Sequence, residues 1–415
     1  MVGPRDSVTP GGNEGKHVRE HPAMLASMDD QAGVLDRQGK YEEAETMYRQ
    51  TLQLREETLG REHPDTLTSM NNLAGVLDRQ GKYREAEEMH RKTLELREKV
   101  LGHEHSNTLA SMNNLAAVLD KQGKYREAEE MHRKTLELSE TMLGHEHSNT
   151  LASMNNLAVV LHSQGKYEEA EEIHRKTLAI REKVLGRKHS STLISMNNLA
   201  AVLDIQGEYG EAEKMHRRTL QLRKEVLGHK HPSTLISMNN LAVVLNSQGK
   251  YGEAEAMHRQ TLQLREEVLW YEETETTHRQ TLARKEVLGR KHPSTLISMN
   301  NLAVVLSSQG KNEEAETRYR QTLAVREEML GREHPDTLVS VFCLADLLAG
   351  RRRYHDSLLL YQRAHAAYQT MLGTDHPITR ACQQHCTQVQ EYVPVKQEKT
   401  LALRLAHFLA RMGIN

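Results

Sequence analysis

The sequence predicts an all-α fold built from stacked helical hairpins, on three observations. A phrase opening on His recurs at His21, His63, His105, His147, His189 and His231, a step of 42 residues each time, and resumes at His292, His334 and His376. Inside each phrase the apolar residues follow helical rather than strand spacing: Leu235, Met238, Leu241, Ala242 and Leu245 form one stripe. Gly closes each half of the phrase, as at Gly249 and Gly228. A fixed period of this length means one supersecondary unit repeated, because neither helix of a hairpin can bury its stripe alone.

The elements follow in order within the unit. Pro232 suits a first helical position, where its missing N–H has no partner to lose. The first helix runs to a Gln248-Gly249-Lys250 turn, and Tyr251, Ala254, His258 and Leu262 begin the stripe of a longer second helix. A Leu-Gly pair such as Leu227-Gly228 ends it.

With small Ala242 and Ala254 beside Leu241 and Tyr251, the unit resembles a tetratricopeptide hairpin. The His-Pro opening, Asn-Asn-Leu-Ala core, Gln-Gly-Lys-Tyr turn and the Arg97–Gly102 closing phrase make it similar to the repeats of kinesin light chains. The resemblance covers residues 20–390, nearly the whole chain. It implies a right-handed α-solenoid whose first helices line a concave groove for extended peptides. It also implies adaptor work, with kinesin heavy chain or cargo as partner. That family binds its motor through an amino-terminal heptad coiled coil; here about twenty Pro- and Gly-containing residues precede the first unit. A second reading is a ligand-recognition arm, of the kind that follows nucleotide-binding switch domains in immune-type receptors.

The expected organisation is a disordered tail at 1–20, repeats one to six at 21–270, a duplicated second helix at 271–291, repeats seven and eight at 292–375, a partial repeat at 376–393 and an amphipathic capping helix at 394–415. Asp29, Asp30 and Gln31 replace the Asn-Asn-Leu core in the first unit, as expected of an end hairpin facing water. Phe342 and Cys343 replace the Asn pair in the eighth. Between His231 and His292 the step is 61 residues, because Tyr271 to Leu288 repeats Tyr251 to Leu269. No Gly or Pro interrupts Glu253 to Leu288, so one helix of ~36 residues, about 54 Å, fits, or a kink near Trp270. Its two apolar faces would lie about 200° apart, which predicts a register break and a superhelix in two blocks. In the tail, Leu401, Leu405, Phe408 and Met412 form one stripe.

Composition narrows the function. Lys plus Arg is 55 against 57 Asp plus Glu, and aromatics are 4%, which argues against nucleic acid. No apolar run approaches the ~20 residues that span a bilayer. Three cysteines make no disulfide framework and fit a reducing cytoplasm. Gly75 to Lys82 has five residues between its glycines where a phosphate loop needs four, His103-Glu104-His105 lacks one-turn spacing, and Cys382, His385 and Cys386 lack a fourth ligand. No enzyme, cofactor or metal site is therefore expected. The recurring His90, His132, His174, His216 and His258 share a site with Tyr48, Tyr319 and Tyr361, which reads as packing.

The candidate binding face is on the first helix. Asn71, Asn113, Asn155, Asn197, Asn239 and Asn300 are expected to face a groove and pair with a peptide backbone, the second Asn of each pair bracing neighbours. Specificity is expected from varying positions nearby, above all Val159, Val243, Val304, Arg79 and Lys121, with a charged amino-terminal half and a neutral, more apolar later half.

Overall fold

In the computed structural model, which describes residues 22–274 and 291–393, every regular element is a helix among the described residues. The chain divides into two compact units, to Ser111 and from Met112. The first contains α1 (Pro22–Arg37), α2 (Tyr41–Leu59), α3 (Pro64–Arg79) and α4 (Tyr83–Leu101); α5 (Ser106–Lys121) crosses the boundary. The second continues with α6 (Tyr125–Leu143), α7 (Ser148–Ser163), α8 (Tyr167–Leu185), α9 (Ser190–Ile205), α10 (Tyr209–Leu227) and α11 (Pro232–Ser247). After these come α12 (Tyr251–Thr274), α13 (Pro293–Ser308), α14 (Asn312–Leu330), α15 (Pro335–Gly350), α16 (Tyr354–Leu372) and α17 (Pro377–Gln390).

The opening His of the phrase has a local cause. His147, His189, His231, His292, His334 and His376 are N-caps: each Nδ1 accepts the backbone N–H two residues on, at 3.1–3.2 Å. One orphan donor of each helix start is thereby satisfied. At the other end, Gly228 stops α10 with φ 87°, a conformation cheap only for Gly, and Thr234 donates its hydroxyl to the Gly228 carbonyl at 2.8 Å. In the eighth repeat Arg352 takes the turn position of Gly and still adopts φ 61°.

Stacking follows the small residues. Leu199 and Leu203 of α9 meet Ala212 of α10 and, from the next hairpin, Val244 of α11. Leu157, Leu161, Ala170 and Val202 repeat the arrangement one hairpin earlier. Each hairpin thus buries its stripe partly against itself and partly against its neighbour, which is why the unit is not stable alone.

A second joint is polar. Arg223 on α10 is buried and donates through Nη1 to the Ser233 carbonyl at 2.7 Å and to Ser237 Oγ at 2.9 Å, both on α11. Arg181 does the same to Ser191 and Ser195, and Arg326 to Asp336 and Ser340. In the first unit Arg55 reaches Asp65 and Ser69, and Arg97 reaches Asn107 and Ser111. Position 139 breaks the row: Ser139 is buried there and its hydroxyl has no partner.

Two expectations need correction. Asp29 does not face water: it pairs with buried Arg55 at 2.7 Å and accepts from Ser69, so the first hairpin carries a counter-ion where repeats two to seven carry Asn. The 61-residue step does not break the stack at the first-helix layer. Helix α12 runs unbroken through position 270 to Thr274, and α13 packs on α11 and α12 through the same contacts as every other neighbour. Asn301 donates to Asn239 at 3.2 Å as Asn240 does to Asn197 at 2.8 Å. Gln309 reaches the Tyr251 carbonyl at 3.1 Å as Gln248 reaches that of Tyr209 at 2.9 Å. The expected disordered tail and capping helix, and most of the duplicated segment, lie outside the described residues.

Candidate functional site

The first helices of the second unit bury Thr, Leu, Ser, Met, Leu, Ala, Val and Leu, as in Thr192 to Leu203 of α9. That leaves one narrow face outward. On it stand Val159, Val243 and Val304, each 36–40% exposed. Two turns before that position on successive helices stand Ile194, Ile236, Ile297 and Val339, at 43–46%. Five neighbouring first helices, α7, α9, α11, α13 and α15, therefore present a repeated β-branched surface to solvent. Exposed large aliphatics occurring singly need no explanation, but a repeated row does. Sequence reasoning found the Val half and passed over the Ile half. The signal was available: Ile236 lies seven residues before Val243, on the same helical face.

The Asn pairs sit beside this row and are engaged with each other. Asn155 accepts from Asn198 at 2.9 Å, Asn197 from Asn240 at 2.8 Å and Asn239 from Asn301 at 3.2 Å. Asn239 and Asn300 are buried; Asn71, Asn113, Asn155 and Asn197 are half-buried. Asn113 contacts Ser153 and His132, and Asn300 contacts Ser340 and the Cys343 sulfur. Both Asn residues thus bridge hairpins, the first accepting from the second Asn of the hairpin that follows. Replacing Asn197 by Ala leaves one Asn240 donor without its acceptor. It is expected to cost about 1–2 kcal/mol in urea unfolding.

The charged candidates also turn to neighbours. Arg79 holds Asp36 through Nε and Nη2, both at 2.5 Å, within the first unit. The side chain of Lys121 is exposed. Ser163 donates to Asp120 at 3.3 Å, and burial lifts that carboxyl to about 6. Arg79 with Asp36 and Ser163 with Asp120 join adjacent first helices.

The recurring His row is deeply buried. His132, His174, His216 and His258, with His90 in the first unit, are held at a pKa of about 4 by loss of hydration. Four of the five have an Nδ1 without a partner; that of His132 meets Asn113. Near the carboxyl end, burial pushes the Cys382 thiol up to about 12, and His385 lies 3.6 Å from Asp346. Among the described residues no group of His, Cys, Asp or Glu could hold a metal ion, and no helix is long and apolar enough to cross a membrane.

Comparison with known proteins agrees with this architecture. Models of the tetratricopeptide repeat match residues 23–99, 74–141, 149–225 and 191–267, and a second such model matches 295–336 and 343–378. No curated protein matches the chain. Among solved structures, the quorum sensor NprR from B. thuringiensis is similar in fold, with a TM-score of 0.53 and 14% identity over 85% of this chain and 90% of that one. A Podosopora anserina protein of the kinesin light chain type, with nearly identical TPR-like repeats, is 26% identical over 54% of this chain and 97% of its own, with a TM-score of 0.42. A Rap protein complexed with competence and sporulation factor is 12% identical, covers 89% and 98%, and has a TM-score of 0.45.

Proposed function

We propose, starting from the fact that this chain belongs to the tetratricopeptide repeat family, that it is a non-catalytic scaffold that holds an extended segment of a partner protein along its first helices. The observation that carries the reading is the repeated exposed row of Val159, Ile194, Ile236, Val243, Ile297, Val304 and Val339. A partner side chain covering one of these residues removes apolar surface from water, worth ~1 kcal/mol for each half-exposed side chain. Many such contacts in a row give useful affinity without any one deep pocket.

The half-buried second Asn of each pair supplies the polar part. One N–H of Asn198, Asn240 and Asn301 is committed to the preceding rung. The side-chain carbonyl and second N–H of the amide can pair with a peptide backbone without reading its sequence. The first Asn then acts indirectly, by fixing the orientation of the second. The kinesin light chain likeness favours adaptor work in the cytoplasm, with cargo or a motor chain as partner.

The reading is tested by the triple variant Ile194→Asp, Ile236→Asp and Ile297→Asp. All three side chains are exposed, so helicity and unfolding midpoint are expected to stay near wild type. Affinity for a captured partner is expected to fall at least tenfold by isothermal titration, since three lost contacts of ~1 kcal/mol exceed the 1.4 kcal/mol that a factor of ten requires. Unchanged affinity in the folded variant would remove this face from consideration.

A further inference from the structure

We propose that His376 is a latch that closes the second unit on itself. His147, His189 and His231 are exposed, His292 is half-buried, His334 is 9% exposed and His376, the N-cap of α17, is the most covered of these at 6%. What covers it is the turn that follows α5, far earlier in the chain. A Cβ at Gly123 would lie 2.6 Å from His376 Cδ2 and 3.1 Å from Nε2, so the imidazole occupies space that any side chain at 123 would claim.

Nδ1 accepts the Ile378 N–H at 3.2 Å, as an N-cap must, so the neutral ring carries its proton on Nε2, on the side that faces Gly123. Glycine at 123 has φ 75°, so the close approach and the turn conformation make the same demand on that residue.

The contact joins two points with all the hairpins from α6 to α16 between them. The exposed Val and Ile row lies on those hairpins. While the latch is shut they cannot spread relative to one another without breaking it, so the spacing of the row is fixed. Opening the latch lets the spacing change. This inference does not depend on the row being a binding surface.

The test is a distance measurement on the full chain. Spin labels are placed through genetically encoded non-natural residues at 124 and 380, both exposed, which leaves the native thiols in place. Wild type is expected to give one narrow short-distance population by pulsed electron paramagnetic resonance. His376→Asn keeps a good N-cap but is too short to pack on the Gly123 turn. Gly123→Asn tolerates the left-handed turn but places a Cβ against the ring. Each is expected to lose the short population with helicity unchanged. A broad, long distribution in wild type overturns the proposal whatever the variants do, and so does a short population that survives in both variants.

Discussion

Lowering the pH from about 6.5 to 4 is expected to unfold this protein. His132, His174, His216 and His258 are buried and held near a pKa of about 4, mainly by loss of hydration. For His90 burial again dominates, with Asp78 favouring and Arg97 opposing the charged form. Free imidazole titrates near 6.5, so between 6.5 and 4 the unfolded chain binds more protons than the folded one. The stability is present in full above about 6.5, is lost progressively as the pH falls to about 4, and is lost no further below that. Each ring contributes about 3 kcal/mol across the window, so four of them are on the order of 10 kcal/mol, comparable to the whole stability of a domain. A separate loss follows at lower pH, because Lys250 holds Glu213, and Lys311 holds Glu255, at about 2. Urea midpoints followed by circular dichroism at pH 7, 5.5 and 4.5 measure the first window. Tyr occupies the same site at Tyr48, Tyr319 and Tyr361, so His174→Tyr, His216→Tyr and His258→Tyr together should fold and flatten the slope. An unchanged slope in that variant would show that the acid sensitivity arises elsewhere.

The second large effect concerns the buried Arg row, and it has opposite signs at two equivalent positions. Arg223→Ala removes a charged donor from the Ser233 carbonyl and Ser237 Oγ. It is expected to destabilise by about 3 kcal/mol. Ser139→Arg restores the missing member of the row beside Ser153 and the Asn149 carbonyl. It is expected to stabilise by about 1–2 kcal/mol, because neighbouring hairpins already bury the same guanidinium on the same acceptors. Denaturant midpoints of both variants decide the matter. Destabilisation by Ser139→Arg would mean that the third hairpin has closed over the space and that the row is not a general joint.

How much of this was legible in the sequence depends on how local the cause is. The hairpin was legible, because a 3.6-residue stripe, Pro at the first position and Gly at the exit act within one unit. The outward Val residues were legible for the same reason. Arg223 was not: an Arg on a helix reads as solvated until Ser237, fourteen residues later, is brought against it by the next hairpin. Asp29 was misread in the same way, because its partner Arg55 lies on the second helix. The Asn pairs look equivalent in sequence. Only the stacking of hairpins makes the first the acceptor and the second the donor of one inter-hairpin bond. The break expected at the insertion assumed that the added residues stay in line with the stack. Instead α13 docks on α12 through the ordinary joints, Gln309 to Tyr251 and Lys311 to Glu255. His376 could not be read at all, since the turn at Gly123 is brought to it only by the closed path of the hairpins between.

The proposed position of the partner is along the Val and Ile row of the first helices. The second helices carry exposed aliphatics of their own, at Val184 and Val226, so the two surfaces can be compared directly. A photo-crosslinking residue placed at 236 reports on the first-helix face, and one at 226 reports on the second. With the partner identified by affinity capture from the native cell, the account predicts crosslinking to an extended segment of it from 236 and none from 226. Crosslinking from 226 with none from 236 would contradict it.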